Sequence, residues 1–424
     1  MASHWSRGVM VTGLVVACCL GVTAIAVGAS RSGRAKLTRT EVARRVVPHG
    51  PSRATATREL TSAIRISPPD GAVNVAPDAP VAIDTAIGRL GTVRVLSGGG
   101  QPVAGMLAAS GAQWRSIGTL AYGTTYHVFV TATGSAHART ELTSTFGTLI
   151  PATFVSASVF PSEGLVVGVG QPIVFHFDQL ISTPAAQSEV LSHLAVTESQ
   201  PVLGGWHWFS DDELHFRPDG FWPAHEQVTV SWDLGGWDAG SGMWGGGQGI
   251  TRFVVGDAHV SFVNLVSDTM TVTDNGLIVA TYPVSGGKPS DPTMDGTHIV
   301  LDKASVVRMD SATNGIPVDS PDGYDELVYN DVHISDSGEY VHAAPWSVAS
   351  QGHTNVSHGC VNISPTNALA FFEFSQVGDV VIIGGSPRPP VVGDHGVMDW
   401  STAPTEFTPA NAILPVPTSI SILR

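Results

Sequence analysis

The sequence predicts a mainly β protein, with two small β-sandwich modules in tandem followed by a third β-rich unit that contains one short helix. Three observations favour this arrangement. The 424 residues suffice for two to four domains, and 43% of them are hydrophobic, so sizeable cores can form. Glycine (47) and proline (28) are abundant while only 13% of residues are charged, which is typical of turn-rich β-structure. Short apolar stretches alternate with turn clusters along most of the chain.

Residues 1–30 are predicted to be a signal sequence or a membrane anchor. Residues 8–29 are apolar apart from two Thr and two Cys, a length just sufficient to span a bilayer. Val27-Gly28-Ala29 offers small residues to a signal peptidase. A loose lipobox before Cys18 leaves a lipoprotein as a second alternative. We therefore expect a secreted or membrane-anchored protein on the extracytoplasmic side, within the cell wall or periplasmic space.

Charge is distributed unevenly along the chain. Residues 1–60 contain nine basic and two acidic residues, a net charge of +7, and the remainder carries −22. Residues 31–62 lack apolar periodicity and are predicted to be a basic flexible linker. The positive-inside rule alone would place this basic side in the cytoplasm, but the character of the rest of the chain argues against that. A basic segment beside an acidic body also argues against a nucleic-acid partner.

The first module is predicted over residues 63–149. Ser67-Pro68-Pro69-Asp70-Gly71 is a turn cluster, and residues 80–85 then alternate as a strand. Further short strands are expected at 93–96, 102–107, 125–132 and 142–146. Because the module contains no cysteine pair, it would be immunoglobulin-like in architecture only.

The second module is predicted over residues 150–256. Residues 163–177 repeat the order turn, apolar stretch, proline and strand, which suggests two related sandwiches. Six aromatic residues are interpreted as its core, with a carbohydrate-stacking platform as the alternative: Trp206, Trp208, Phe209, Phe216, Phe221 and Trp222. Residues 235–249, rich in Gly and Trp, are predicted to be a long loop.

The third unit is predicted over residues 257–385, and a proline-rich extension over 386–424. Residues 269–279 form a hairpin pattern around an Asp-Asn-Gly turn, and 298–301 and 380–383 are further strands. One helix is expected after Ser364, a favourable N-cap that is followed by Pro365 at the first helical position.

Cys360 is the only cysteine outside the N-terminal segment, and an exported protein seldom leaves a cysteine unpaired without a reason. His342 ends an apparent strand 18 residues upstream, and Cys360 precedes the Ser364-capped helix. Two such positions can converge at one end of a sheet. His342 would then take the thiol proton, with a backbone carbonyl near Ala343 orienting its ring. The turn His358-Gly359-Cys360 could direct backbone N–H groups at an oxyanion.

Two other interpretations of Cys360 stay open on the residues alone. A lone cysteine is often a small apolar filler. A zinc site could use His342, His353, His358 and Cys360, but their spacing matches no recurrent zinc pattern. We therefore expect no metal and no cofactor.

The segments Tyr340–Trp346 and Asn355–Asn362 resemble the L,D-transpeptidase (YkuD-type) signature. That signature is a histidine, a spacer of this length, and then Ser/Thr-His-Gly-Cys-apolar-Asn. The two preceding modules, together with Met398-Asp399-Trp400 in the extension, resemble the long mycobacterial-type members with tandem immunoglobulin-like domains. The resemblance extends over roughly residues 64–405 and implies an L,D-transpeptidase catalytic domain in the third unit.

The resemblance implies roles for individual residues. Cys360 would be the nucleophile, His342 the general base, and Ala343 would occupy the position of a serine whose main-chain carbonyl orients the histidine. His358 and Gly359 would belong to the oxyanion turn. The substrate cleft would be lined by Met309, Tyr324, Ser337, Gly338, Trp346 and Asn362. Core packing is the alternative for Met309, Tyr324 and Trp346. Where relatives carry an aromatic residue before the Ser337 position, this chain has Asp336.

The implied activity is the formation of 3→3 cross-links in peptidoglycan through a cysteine acyl-enzyme, with release of D-alanine. The partners would be a stem tetrapeptide as donor and the diamino acid of another stem as acceptor. Penems and carbapenems would be inhibitors. Alternatives that use the same acyl-enzyme are an L,D-carboxypeptidase and the attachment of proteins to peptidoglycan. A catalytically inert wall-binding spacer is an alternative of a different class.

Overall fold

The structure, a computed structural model, describes residues 51–410. The predicted signal or anchor at 1–30, its alternative lipidation at Cys18, the linker up to residue 50 and residues 411–424 lie outside the described residues. Within residues 51–410, no helix is both long enough and apolar enough to cross a bilayer.

The first domain is a sandwich of two four-stranded sheets. Its sheet orders are β1-β3-β6-β5 and β2-β8-β7-β4. The strands are β1 (Ile64–Ser67), β2 (Ala72–Val75), β3 (Ala82–Thr85), β4 (Arg89–Ser97), β5 (Gly105–Leu107), β6 (Gln113–Ser116), β7 (Thr125–Thr133) and β8 (Arg139–Thr148). In β7, buried residues alternate with exposed ones, as expected for a strand with one face on the core. The expected strands of this module are therefore confirmed.

A helix, α1 (Arg53–Ala63), occupies the end of the predicted linker, so the expectation of an unstructured segment up to residue 62 is wrong there. The Ser52 hydroxyl accepts from the Thr55 N–H at 3.2 Å and caps the helix. Ala56 and Leu60, four residues apart, lie on one face and are buried in the core of the first domain. Only two of its eleven residues are buried, so the sequence of this helix shows almost no apolar periodicity from which it could be predicted.

The second domain is a second sandwich. Strands β10-β12-β15-β14 form one sheet, β11-β19-β16-β13 the other, and β17-β18-β9 a small third sheet. The bounds are β9 (Thr153–Val155), β10 (Ala157–Phe160), β11 (Val166–Val167), β12 (Ile173–Phe177), β13 (Leu194–Glu198), β14 (Gly204–Trp208), β15 (Glu213–Pro218), β16 (Gln227–Asp233), β17 (Asp238–Gly240), β18 (Met243–Gly245) and β19 (Gln248–Val255), with helix α2 (Pro184–Glu189). Residues 235–249 were predicted to be a long loop, but they contain strands β17 and β18, so that prediction is wrong there.

The aromatic residues of the second domain are mainly core residues. Trp206, Phe216 and Trp222 are at most 2% exposed, and Trp208 and Phe221 pack against the same cluster. A ring buried in this way cannot stack on a sugar, so the carbohydrate-platform alternative is wrong for the three buried rings.

The third domain pairs two sheets, β22-β21-β20-β28-β23 and β24-β25-β26-β27. Its elements are β20 (His259–Asn264), β21 (Thr269–Asp274), β22 (Leu277–Pro283), β23 (Gly296–Ile299), β24 (Asp302–Asp310), β25 (Asp325–Ser335), β26 (Glu339–Ala343), β27 (Val361–Ile363), β28 (Val380–Gly384) and helix α3 (Pro365–Phe374). The hairpin over 269–279 and the Ser364-capped helix are confirmed; the Ser364 hydroxyl accepts from the Asn367 N–H at 3.3 Å. Ala368 and Phe371 of α3 belong to the core of this domain.

Residues 386–410, predicted as a proline-rich extension, pack back onto the second domain. They contain α4 (Met398–Ser401) and β29 (Thr408–Pro409), which pairs with β14. Trp400 donates its indole N–H to the Gly170 carbonyl at 2.9 Å. The Arg217 guanidinium lies 4.8 Å from the Trp400 ring centroid and 4.5 Å from that of Phe407. The extension therefore connects the third domain with the second.

The second and third domains also meet through their backbones. Gly168 N–H donates to the Val377 carbonyl at 2.7 Å, and Gly170 N–H to that of Gly378 at 2.9 Å. A Cβ on Gly168 would lie 2.1 Å from the Asp379 nitrogen, so only glycine permits this approach. Five short 3₁₀ helices complete the described secondary structure: Ser135–His137, Val190–His193, Ser311–Asn314, Pro345–Ser347 and Pro404–Glu406.

Replacing Leu60 by Ala should destabilise the first domain by about 2–4 kcal/mol, because the side chain is fully buried and its removal leaves a cavity. Thermal or denaturant unfolding followed by near-UV circular dichroism measures this change. Arg58→Ala, on the exposed face of the same helix, is the matched control and should stay within about 0.5 kcal/mol of the parent. Equal stability of the two variants would show that α1 does not contribute to the core.

Candidate active site

The parallel pairing of β26 with β27 brings the histidine and cysteine segments together. Its register aligns His342 with Asn362, and Cys360 immediately precedes β27. Val341 and Ala343 are buried in the core of the third domain. Because side chains alternate along a strand, His342 points to the opposite face of the sheet. The expected convergence of a strand end and a pre-helix turn is present in the structure.

Two cavities open on Cys360. The first, of about 380 Å³, is lined largely by polar residues, among them Ser337, Gly338 and Glu339. The second, of about 230 Å³, is more apolar and includes His342, Trp346 and Asn362. Both cavities are lined by the same four residues, Met309, Tyr324, His358 and Cys360. Cys360 can therefore be approached from two directions.

His342 is held as a neutral imidazole with a defined tautomer. It is 2% exposed, and its Nδ1–H donates to the Ala343 carbonyl oxygen at 3.1 Å. Since the proton is on Nδ1, Nε2 is free of hydrogen and can accept one. Burial lowers the pKa of His342 to about 4. The main-chain carbonyl at Ala343 thus makes the contact expected for an orienting group.

Cys360 is a free thiol and only partly exposed. Its Sγ–H points to the Gly338 carbonyl at 3.7 Å. Burial raises the pKa of the thiol to about 12, with a contribution from the negative charge of Glu339. At neutral pH a protonated thiol and a neutral imidazole therefore line the same cavity in the resting site. The thiol would lose its proton to Nε2 only as the sulfur attacks.

The turn before Cys360 is stabilised by Ser357. Its hydroxyl donates to the Cys360 carbonyl at 2.6 Å and accepts from the Gly359 N–H at 3.1 Å. Gly359 has φ +133°, a conformation that side chains rarely adopt. The Gly359 N–H is therefore used within the turn. It does not point at a developing oxyanion, which differs from the sequence expectation for this residue.

His358 helps to fix the wall of the cavities. Its Nε2 accepts from the Lys288 ammonium at 3.0 Å, and its ring centroid lies 5.1 Å from that of Tyr324. Lys288 also forms an ion pair with Asp322 at 2.7 Å. Tyr324 and Asp322 precede β25, so these contacts connect the segment between β24 and β25 with His358, beside Cys360 in the sequence.

All six residues expected in the substrate cleft line one or both cavities. Met309 and Tyr324 line both, Ser337 and Gly338 the first, and Trp346 and Asn362 the second. Trp346 is 55% exposed, so the core-packing alternative is wrong for it. Asn362 is buried and its side-chain amide donates to the Ser347 hydroxyl at 3.1 Å, which fixes the position of the side chain.

The four candidate zinc ligands are not assembled into a metal site. In the part of the chain that the structure describes, no three of His342, His353, His358 and Cys360 bring their ligand atoms together. The group of three that does so is Asp257, His259 and Asp274, at the start of the third domain. The His259 Nδ1 there is engaged by Asp379 at 3.0 Å.

Several residues around the site have no signal in the sequence. Glu339 is 2% exposed and lines the first cavity; one carboxylate oxygen accepts from the Met294 N–H at 2.9 Å and from Arg388 at 2.6 Å. Burial raises the pKa of Glu339 to about 7. Lys288 and Asp394 are further examples. Their partners are mostly distant in sequence, so no local motif marks them.

Comparisons with known proteins agree with this fold and site. The sequence model described as the L,D-transpeptidase catalytic domain matches residues 258–383, and that of the bacterial Ig domain matches 72–238. L,D-transpeptidase 2 of Mycobacterium tuberculosis (strain CDC 1551 / Oshkosh) is 38% identical over 353 residues, which cover 83% of this chain and 86% of the relative. The fold and site thus define a cysteine-dependent transpeptidase with bacterial Ig modules. The chain belongs to the L,D-transpeptidase family.

Solved structures of relatives cover about half of this chain. A structure of an LD transpeptidase in complex with imipenem is 36% identical and covers 55% of this chain and 100% of its own, with a TM-score of 0.49. L,D-transpeptidase 3 from Mycobacterium tuberculosis, solved with a faropenem-derived adduct, is 34% identical and covers 55% of this chain and 98% of its own, with a TM-score of 0.47.

The rate of Cys360 alkylation by iodoacetamide should keep rising with pH up to at least pH 10. The thiol is protonated over this range because its pKa is raised to about 12, and each unit of pH adds thiolate about tenfold. Mass spectrometry of the Cys360 peptide, sampled over time, gives the rate. A free cysteine peptide is the control and should level off near its ordinary pKa of about 8.5. Levelling of the protein rate below pH 8 would contradict the neutral thiol.

Proposed function

We propose that this protein forms 3→3 cross-links between peptidoglycan stem peptides through a thioester on Cys360. One observation carries the proposal: the thiol lies where two cavities meet, and one of these cavities is also lined by a neutral imidazole whose Nδ1 is fixed by a carbonyl. Such a sulfur can take an acyl group from a donor in one cavity and give it to an acceptor arriving through the other.

In the first step, Sγ of Cys360 attacks the carbonyl that links the diamino acid of a stem tetrapeptide to its terminal D-alanine. The thiol proton passes to Nε2 of His342. The tetrahedral intermediate collapses, His342 returns the proton to the leaving amine, and D-alanine departs. A thioester between the stem and Cys360 remains.

In the second step, the side-chain amine of a diamino acid on another stem attacks the thioester. His342 accepts the proton that this amine loses, and the proton returns to the sulfur as the thiolate leaves. The new amide joins two stems, and the resting thiol is restored. Water or a protein amine could resolve the same thioester; no observation favours either over the stem amine.

We further propose that penems and carbapenems acylate Cys360, since their strained lactam carbonyl can take the place of the donor carbonyl. The relatives solved with imipenem and with a faropenem-derived adduct support this. An extracytoplasmic location, reached through the N-terminal segment and either anchored or secreted, is proposed because the stem peptides are found there.

Cys360→Ala removes the nucleophile and His342→Ala removes the general base, so each should reduce cross-linking of defined tetrapeptide stems by at least about a hundredfold. Liquid chromatography with mass spectrometry of the products, including released D-alanine, measures this loss. His353→Ala is the matched control, an exposed histidine close by in sequence, and should retain full activity. Cross-linking by purified Cys360→Ala would refute the proposed function.

Incubation with imipenem should give one covalent adduct per chain, located on the Cys360 peptide. Intact-mass measurement and peptide mapping test this expectation. Cys360→Ala should show no adduct under the same conditions. An adduct on any other residue, or no adduct on the parent, would count against acylation at this sulfur.

A further inference from the structure

Asp394, in the C-terminal extension, holds the turn that faces Cys360. It is 4% exposed, and one of its oxygens accepts from the Ser335 hydroxyl at 2.6 Å, the Ser337 hydroxyl at 2.5 Å and the Ser337 N–H at 3.0 Å. The other accepts from the N–H groups of Asp336 and Gly396, each at 3.0 Å. Burial opposes its ionisation, but the donors of Ser335 and Ser337 lower the pKa of Asp394. A buried carboxylate with this many donors has a strongly defined position.

The turn held by Asp394 is in contact with the reacting sulfur. Ser337 and Gly338 line the first cavity together with Cys360, and the Gly338 carbonyl accepts a hydrogen bond from the thiol at 3.7 Å. The Gly338 N–H closes the turn on the Ser335 carbonyl at 2.8 Å. Displacement of this turn would therefore move both a wall of the cavity and the carbonyl that accepts the hydrogen bond of the thiol.

A chain of charged side chains continues from this turn into the second domain. His395 bonds to Asp336 through Nδ1 and to Glu213 of β15 through Nε2, the latter at 2.9 Å. Glu213 also accepts from His215 at 2.7 Å, and the other ring nitrogen of His215 lies 3.0 Å from Asp399. These bonds link Asp336, His395, Glu213, His215 and Asp399 in that order, so they connect the active-site turn with the second domain through the extension.

The charges along this chain alternate in sign. Bonds from Glu213 and Asp336 raise the pKa of His395 to about 9. Burial alone would lower the pKa of His215, but the carboxylates of Asp399 and Glu213 raise it to about 9. The pKa of Glu213 is correspondingly lowered by both histidines against the effect of burial. Two further titratable groups lie next to these charged side chains: His176 lies 3.4 Å from Glu213, and Arg217 is near Asp399.

We propose that Glu213, His395 and Asp336 are positioning residues that fix the Ser335–Gly338 turn beside Cys360, so that the second Ig-like domain forms part of the catalytic apparatus. Asp336 and Glu213 lie in different domains, and the side chain that joins them belongs to the extension. A module that served only as a spacer would not need a charged contact with the active-site turn. This inference rests on the proposed function, because that reaction is the one the turn would serve. The position of the turn can nevertheless be measured without the reaction.

Hydrogen–deuterium exchange of the full chain measures the positioning directly. Glu213→Gln should speed exchange of the Asp336, Ser337 and Gly338 amides by roughly fivefold or more, within the range of coupling between packed sites. Exchange of the β16 and β19 amides should stay unchanged. A variant that merely destabilised the second domain would accelerate exchange in these strands too. Glu163→Gln is the matched control: it removes a surface carboxylate of the same domain, 3.8 Å from Arg252, and should leave the turn unaffected.

Imipenem acylation provides the functional readout. Glu213→Gln and His395→Gln should each lower the acylation rate constant by roughly fivefold while affinity changes little, and His395→Arg, which keeps the cation, should recover most of the rate. A double-mutant cycle of Asp336→Asn with His395→Gln should be strongly non-additive. Asp336 is half-exposed, so its variant can be compared even if Glu213→Gln is unstable.

The outcomes separate this inference from the proposed function. If Glu213→Gln matches Glu163→Gln in turn exchange, or if Asp336→Asn and His395→Gln are additive, the positioning role is wrong even where the parent makes cross-links. If the parent makes no cross-links but the variants still loosen the turn, the positioning role stands and the proposed reaction fails.

Discussion

The parallel pairing of β26 with β27 is the constraint on which the arrangement of the site depends. A single register places His342 beside Asn362 and leaves Cys360 at the entry to β27. The Ser285 backbone pairs with Asn362 from the other side and keeps the short β27 in place. A shift by one residue would exchange the buried Val361 and Ile363 for polar neighbours and turn Asn362 into the core. The apolar core therefore determines the position of the chemistry.

The two reacting groups of the resting site, the Cys360 thiol and the His342 imidazole, are both uncharged. A thiolate–imidazolium pair in so enclosed a place would require costly desolvation of both ions. The neutral thiol and imidazole avoid that cost until a carbonyl is present to receive the electrons. Charged groups lie around them: Glu339 and Arg388, which line the first cavity, form an ion pair, and the exposed Asp322 pairs with Lys288. Separation of charge is thus confined to the moment of reaction, which distinguishes this site from cysteines activated by a permanently lowered pKa.

Sequence patterns predicted those features that local chemistry controls. The Ser364 cap, the Asn275-Gly276 hairpin and the spacing of His342 and Cys360 each depend on neighbours close along the chain, and each is found as expected. Long-range contacts escaped prediction. Helix α1 depends on two apolar side chains that meet a distant sheet, and the Gly359 N–H is taken by a hydroxyl whose direction only the folded turn defines. Asp394 binds mainly to residues nearly sixty positions upstream.

The pairing of β29 with β14 has a consequence for the molecule in solution. Without it, β14 would present a row of unpaired amide and carbonyl groups at the border of its sheet, a template on which a second chain could add a strand. The two residues of β29 cover Gly205 and Trp206, and Pro409 has no N–H to offer beyond them. The extension therefore also protects this edge of the sheet against the addition of a strand from another molecule.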